Sequence, residues 1–156
     1  MQSTNTSAAI PTKGFSLIEL MAVVLVVGVI SSIALATYSN YINTAHAQAI
    51  VSNFETAVET AQNNYVAAEQ LATTGASVDR VVPPDSAGWV DLLNSTRSSA
   101  PAGGDAYEEG AGDDTRGSIG LVFAGTFANG DSTVTINRPA FAGMPAASTQ
   151  IAQSDF

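Results

Sequence analysis

The chain has no cysteine, a single histidine, and five lysine and arginine residues against fourteen aspartates and glutamates. Without cysteine there is no disulfide, no thiolate metal site and no thiol nucleophile, so stability has to come from packing or assembly. A net charge of −9 removes the basic footprint of a nucleic-acid-binding module. The cations are Lys13, Arg80, Arg97, Arg116 and Arg138. The lone histidine, His46, sits on a helical segment near Thr44 with no second soft ligand in the sequence, and reads as a solvated or interface residue. No nucleophile–base pair or metal constellation emerges, so no enzyme is expected. A length of 156 residues accommodates one domain and an anchor, too little for a second core.

Against this sparse background stands one long apolar run, Phe15 to Ala36 (FSLIELMAVVLVVGVISSIALA). As a helix it extends about 33 Å, enough for a hydrocarbon core of about 30 Å. Its leucine, isoleucine, valine and phenylalanine residues supply roughly −4 to −8 kcal/mol toward insertion, against about 3 kcal/mol for an acid at the centre. Glu19, the one acid, lies near an end, so insertion wins. An ionisable residue inside such a segment is a functional-site hypothesis in itself. Lys13, the only charge before the run, places the N-terminus in the cytoplasm by the positive-inside rule. Ala34-Leu35-Ala36 fits the small-x-small pattern of a secretory cleavage site. The length of the run, its acid and the amphipathic helix that continues beyond Ala36 all argue against a cleaved signal.

The segment Lys13-Gly14-Phe15-Ser16-Leu17-Ile18-Glu19-Leu20-Met21 closely resembles the prepilin processing motif of bacterial type IV pilins and type II secretion pseudopilins. The resemblance is confined to the N-terminal segment. It implies a leader of residues 1–14, cleavage between Gly14 and Phe15 by a prepilin peptidase, and N-methylation of the new terminal Phe15. It also assigns Glu19 to the family's assembly glutamate. In a filament the Phe15 ammonium would lie in apolar surroundings, and Glu19 of a neighbouring subunit would pair with it. Such a pair contributes axial register more than net stability. Gly28, the one glycine in the anchor, is a local weak point, since glycine costs about 1 kcal/mol in a helix interior. The family commonly carries proline where this chain has Ala36. Many of its members close a C-terminal loop with a disulfide, a device absent here, and its major pseudopilins often bind calcium in such a loop.

Downstream, apolar residues at helical spacing continue the helix to about Leu71: Tyr38, Ile42, Ala45, Ala49, Phe54, Val58, Ala61, Tyr65 and Ala68. Thr73-Thr74-Gly75 predicts its end. Pro83-Pro84-Asp85-Ser86 predicts a stop and a new start, with a short helix over Ala87–Asn94 turning Trp89, Leu92 and Leu93 inward. Ser98–Gly117 reads as loop. Ser118–Phe127 and Ser132–Arg138 read as strands of a hairpin joined by Ala128-Asn129-Gly130-Asp131, with Val134 and Ile136 inward and a third strand within Ala140–Ile151. The expected fold class is α+β, a long N-terminal helix packed on a small C-terminal antiparallel sheet, as in pilins. The expected organisation is a leader (1–14), a transmembrane and filament-core helix (15–36), the amphipathic half of that helix (37–74) and a globular head (75–156).

Two clusters invite chemistry. Asp105, Glu108, Glu109, Asp113 and Asp114 crowd a glycine-rich loop, and hard oxygen ligands on such a loop suit calcium. Asp105, Asp113 and Asp114 are the calcium candidates, and a solvated acidic loop with no cofactor is the favoured reading. Tyr38, Tyr41, Phe54 and Tyr65 are too irregularly spaced for an aromatic electron path and read as packing residues. Ser95-Thr96 and Ser98-Ser99 are open to glycans. The expected function is that of a structural, major pilin-like subunit of a type IV pilus serving adhesion, motility or DNA uptake. It would be stored in the bacterial inner membrane, cut and methylated by prepilin peptidase, and built by an inner-membrane platform into an extracellular homo-oligomeric filament. The alternatives are a major or minor pseudopilin of a periplasmic type II secretion filament, and a membrane-anchored or secreted binding domain.

Overall fold

A computed structural model describes residues 14–156, which divide after Asn40 into two compact units. The leader up to and including Lys13 lies outside the described residues. One helix, α1 (Leu17–Thr73), belongs to both units. Its length follows from what the sequence withholds: no proline occurs between residues 12 and 82 to remove a ladder hydrogen bond. The helix is continuous through Gly28, where a Cβ would meet nothing within 4 Å. In the first unit the large apolar side chains, among them Leu17, Leu25, Val27 and Ile33, are exposed. With a mean hydropathy of 2.6 in its most apolar window, α1 is long and apolar enough to cross a membrane. It ends in a Schellman motif: the Ala76 N–H reaches the Leu71 carbonyl at 3.2 Å and the Gly75 N–H reaches Ala72 at 3.1 Å. Gly75 takes the left-handed conformation this requires, φ 72°.

In the second unit the rest of α1 packs on α2 (Ser86–Asn94) and on the strands β1 (Tyr107–Glu109), β2 (Gly112–Asp113), β3 (Ser118–Ala124), β4 (Thr133–Arg138) and β5 (Ala147–Ala152). Asp85 caps α2 by accepting the Gly88 N–H at 2.7 Å. Trp89 and Leu93 are buried and Leu92 half-buried. The core stripe of α1 is Ile50, Phe54, Ala57, Ala61, Tyr65 and Ala68. Steps of four, three, four, four and three residues keep closest to the 3.6-residue turn, so Ile50 and Ala57 take the centre while the predicted Ala49 and Val58 flank it. Ile119, Leu121, Val134, Ile136 and Ile151 meet this stripe from the other layer.

The sheet runs β1-β3-β4-β5, with β2 pairing the start of β3. It is mixed rather than antiparallel throughout, because β1 lies parallel to β3, with Tyr107 opposite Ile119. The segment expected to be loop contains both β1 and β2. After β1 the chain reverses into β2, then reverses again into β3, and two reversals restore the original direction. A three-residue strand with a single apolar member carries no alternation for a sequence reading to find. The predicted hairpin is also longer in its turn. β3 stops at Ala124 rather than Phe127, because Gly125 (φ 79°) lies where a Cβ would stand 2.2 Å from the Asp131 carbonyl oxygen. The Thr126 N–H then bonds the Asp131 carboxylate at 2.8 Å, and Phe127–Asn129 form a 3₁₀ turn that ends at Gly130. β3 and β4 pair antiparallel as the hairpin predicts, Asn129-Gly130 ends a helical turn inside the connection, and Phe127 turns in to stack on Tyr65 with ring centres 6.5 Å apart.

Before β5, Phe141 and Met144 exchange backbone hydrogen bonds of 3.2 and 2.9 Å across Ala142 (φ 51°) and Gly143 (φ 83°). Positive φ at both central residues is the requirement of a type I′ turn, and alanine meets it at a steric cost. Ala142→Gly is expected to raise the stability of the folded head by about 1 kcal/mol, or roughly 4 °C in unfolding midpoint. Thermal unfolding of the processed chain checks this, and a lowered midpoint would contradict it.

Candidate functional site

At the start of α1 the backbone and two side chains close on themselves. The Ser16 N–H donates to Glu19 Oε2 at 2.8 Å, and the Glu19 N–H donates to Ser16 Oγ at 3.3 Å. This reciprocal arrangement is a capping box, written in the sequence as Ser16-x-x-Glu19. It satisfies two orphan donors of the helix end and sets a negative charge where the helix dipole favours one. Gly14 and Phe15 precede the helix, with Phe15 86% exposed and open space around Gly14. The bond between them lies on non-helical backbone. Cleavage there would leave the Ser16 amide intact, because that N–H belongs to the Phe15–Ser16 peptide. The cap can thus persist beside a newly formed Phe15 ammonium.

The acidic loop is organised by a cation already in the chain. Asp113 Oδ1 accepts the Thr115 N–H at 2.7 Å, the Thr115 hydroxyl at 2.5 Å and the Arg116 N–H at 3.3 Å. Asp113 Oδ2 accepts Arg116 Nε at 2.6 Å, and Glu108 accepts Arg116 Nη2 at 2.7 Å. The Arg116 carbonyl in turn takes the Ala102 N–H at 3.1 Å, tying the two ends of the glycine-rich segment together. Of the calcium candidates, Asp113 is thus engaged with its own turn and Arg116, while Asp105 and Asp114 are exposed outside that clip. Among the described residues no group of three or more His, Cys, Asp or Glu side chains is placed to hold a metal. The Thr115 hydroxyl, the Arg116 guanidinium and the Thr115 amide hold the Asp113 carboxyl well below its ordinary value of 3.8. The same contact raises Arg116.

The remaining candidates separate. His46 stacks on Phe141 with ring centres 5.9 Å apart. Tyr38 and Tyr41 are exposed, Phe54 lies beneath the Arg138 guanidinium at 5.6 Å, and Tyr65 stands in the core against Trp89, Phe127 and Phe156. Sequence reading passed over Tyr107, which is buried in β1 and donates its hydroxyl to the Asn53 carbonyl at 2.9 Å. Burial pushes its pKa up to about 12. A groove of about 400 Å³ between Ala72, Val82, Pro83, Phe123 and Phe127 is apolar apart from Asp79 and Thr126.

The clip predicts a direction with pH. A depressed carboxylate contributes stability that is full above its unfolded value and is lost as pH falls through the folded one. The Thr115 and Arg116 amides should therefore keep their protection from hydrogen exchange from pH 7 down to about 4 and lose it only in stronger acid. Arg116→Ala should abolish that protection at neutral pH as well. Unchanged protection in this variant would mean that the clip does not hold the loop.

Residues 11–35 match the family model described as the prokaryotic N-terminal methylation motif. No solved structure matches the chain. The matched span covers Gly14 and Phe15, the capping box and the apolar part of α1 up to Leu35. The chain carries the prokaryotic N-terminal methylation motif, the prepilin signature of type IV pilins and pseudopilins, at the head of a long helix packed on a mixed sheet.

Proposed function

We propose that this protein is the major structural subunit of a type IV pilus, without enzymatic activity of its own. The observation that carries the reading is the methylation motif on residues 11–35, continuous with a helix whose exposed apolar side chains demand either lipid or copies of themselves. As a membrane-anchored precursor the chain would keep Glu19 satisfied within its own capping box. Prepilin peptidase would cut after Gly14 and methylate Phe15. On an inner-membrane platform the anchor would then exchange lipid for neighbouring helices, and the mature chain would leave the membrane for an extracellular filament.

The Glu19 carboxylate has a second task in that filament. One oxygen already serves the Ser16 amide. The other can meet the Phe15 ammonium of an adjacent subunit. In apolar surroundings an unpaired ion is strongly penalised, so a subunit displaced from register would bury two uncompensated charges. Register is thus set by the penalty on wrong positions more than by attraction in the right one. The acidic head, with its loop held by Arg116, would form the filament surface.

Mass spectrometry of the chain from its native bacterial host should find a mature N-terminus at N-methylated Phe15. A terminus at Thr37, or an uncut leader, would instead identify a secreted or simply anchored domain. Glu19→Ala should leave the precursor in the membrane and lower filament yield by about a hundredfold or more, the consequence of about 3–5 kcal/mol for one orphaned buried charge. Normal filaments from that variant would remove the pairing from the mechanism.

A further inference from the structure

The chain is rich in acids, yet two of its cations go unused. Among the described residues both ion pairs belong to Arg116. Arg138 lies over Phe54 and donates to the Pro145 carbonyl at 3.2 Å. Arg80 and Arg97 are exposed, and neither makes an ion pair with any of the described acids.

Arg97 is also held in a strained position. Its φ is 59°, in the left-handed region where a side chain is penalised and glycine is not. The turn that carries it is fixed from both sides. On the α2 side, the Ser95 N–H reaches the Asp91 carbonyl at 3.0 Å and the Arg97 N–H reaches Asn94 at 2.9 Å. The Asn94 side chain in turn bridges both backbone groups of Tyr107, at 2.9 and 3.2 Å. On the other side the Ser99 carbonyl accepts Asn53 Nδ2 at 3.1 Å, and Ser99 pairs with Asp105. Strain of this kind persists only where the surroundings over-determine it, and it points to a function. Glycine would fit the backbone better; what glycine lacks is the guanidinium.

We propose that Arg97 is an inter-subunit contact that pairs with an exposed carboxylate on a second copy of this chain. The proposal rests on the filament reading. Copies of a chain with net charge −9 repel one another as they are brought together. A cation with no ion pair to the described acids, on a turn held by backbone hydrogen bonds, supplies the complementary charge, and a head-to-tail contact lets it meet an acid elsewhere on the next subunit.

The test compares Arg97→Gly, Arg97→Gln, Arg97→Lys and Ala142→Gly in the native host, reading sheared filament yield and the unfolding midpoint of the purified chain. Arg97→Gly should raise the midpoint while lowering filament yield about fivefold, the worth of one exposed ion pair at the upper end of its range. Arg97→Gln, which removes the charge at unchanged strain, should lose yield equally, and Arg97→Lys should retain it. Ala142→Gly, which relieves comparable strain without touching charge, should leave yield unaltered. Wild-type yield from Arg97→Gln overturns the contact even if Arg97→Gly misfolds. An equal loss from Ala142→Gly also overturns it, by attributing the effect to backbone strain. Absence of filaments from the unmodified chain overturns the filament reading and this contact with it.

Discussion

Everything in the head depends on one stripe of α1 finding a cover. Ile50, Ala57, Ala61, Tyr65 and Ala68 are each essentially excluded from solvent, covered by the sheet, by α2 and by residues outside both such as Phe127 and Phe156. Three of the five are alanines, which contribute little apolar area themselves but let larger groups approach the helix backbone. The burial is therefore supplied from the other layer, by Trp89, Leu93, Leu121 and Ile136. A buried aromatic of this kind is worth several kcal/mol, a substantial part of the marginal stability of a small domain. In the first unit the described apolar side chains of the same helix stand open. One element thus solves its burial problem internally over one stretch and leaves it for lipid or for other copies over the other.

A chain without cysteine must hold its long connections by other means, and here the substitutes are polar. Asn94 clasps Tyr107, Tyr107 reaches Asn53, and Asn53 holds Ser99, so that three well-separated segments are joined by neutral hydrogen bonds. Arg116 closes the glycine-rich loop through Asp113 and Glu108. These ties differ from a disulfide in kind. Each is made only in the folded state and contributes modestly on its own, and all respond to pH, salt or the loss of a single partner.

The capping box at Ser16 and Glu19 satisfies the one acid of the apolar segment within its own first turn. A carboxylate at the first turn of a helix is locally satisfied by backbone donors, so the precursor carries no orphaned charge while it waits in the membrane. A carboxylate has more acceptor capacity than the cap uses. That surplus is what the proposed filament would use for the Phe15 ammonium of an adjoining subunit.

The sequence by itself determined the elements whose signals are local. The long helix, its end at Gly75, the start of α2 at Pro83-Pro84-Asp85, the inward pair Val134 and Ile136 and the processing motif each follow from spacing or from the conformational limits of proline and glycine. Even the capping box was present as Ser16-x-x-Glu19. Tertiary structure alone decided the rest. Whether Ile50 or Ala49 centres the buried stripe depends on what covers it, since neighbours on a helix differ by only 100°. That Tyr107-Glu108-Glu109 is a parallel strand depends on Ile119 being beside it, because three residues cannot announce a period. The connection between β3 and β4 is longer than Ala128–Asp131, since the Thr126 amide bonds the Asp131 carboxylate and Phe127–Asn129 form a 3₁₀ turn. The acids of the glycine-rich loop look alike in sequence, yet only a folded chain brings the Arg116 guanidinium to Asp113 and Glu108 and passes over Asp105 and Asp114. Ion pairs between segments are a property of distance in space, and distance in space is what a linear pattern does not contain.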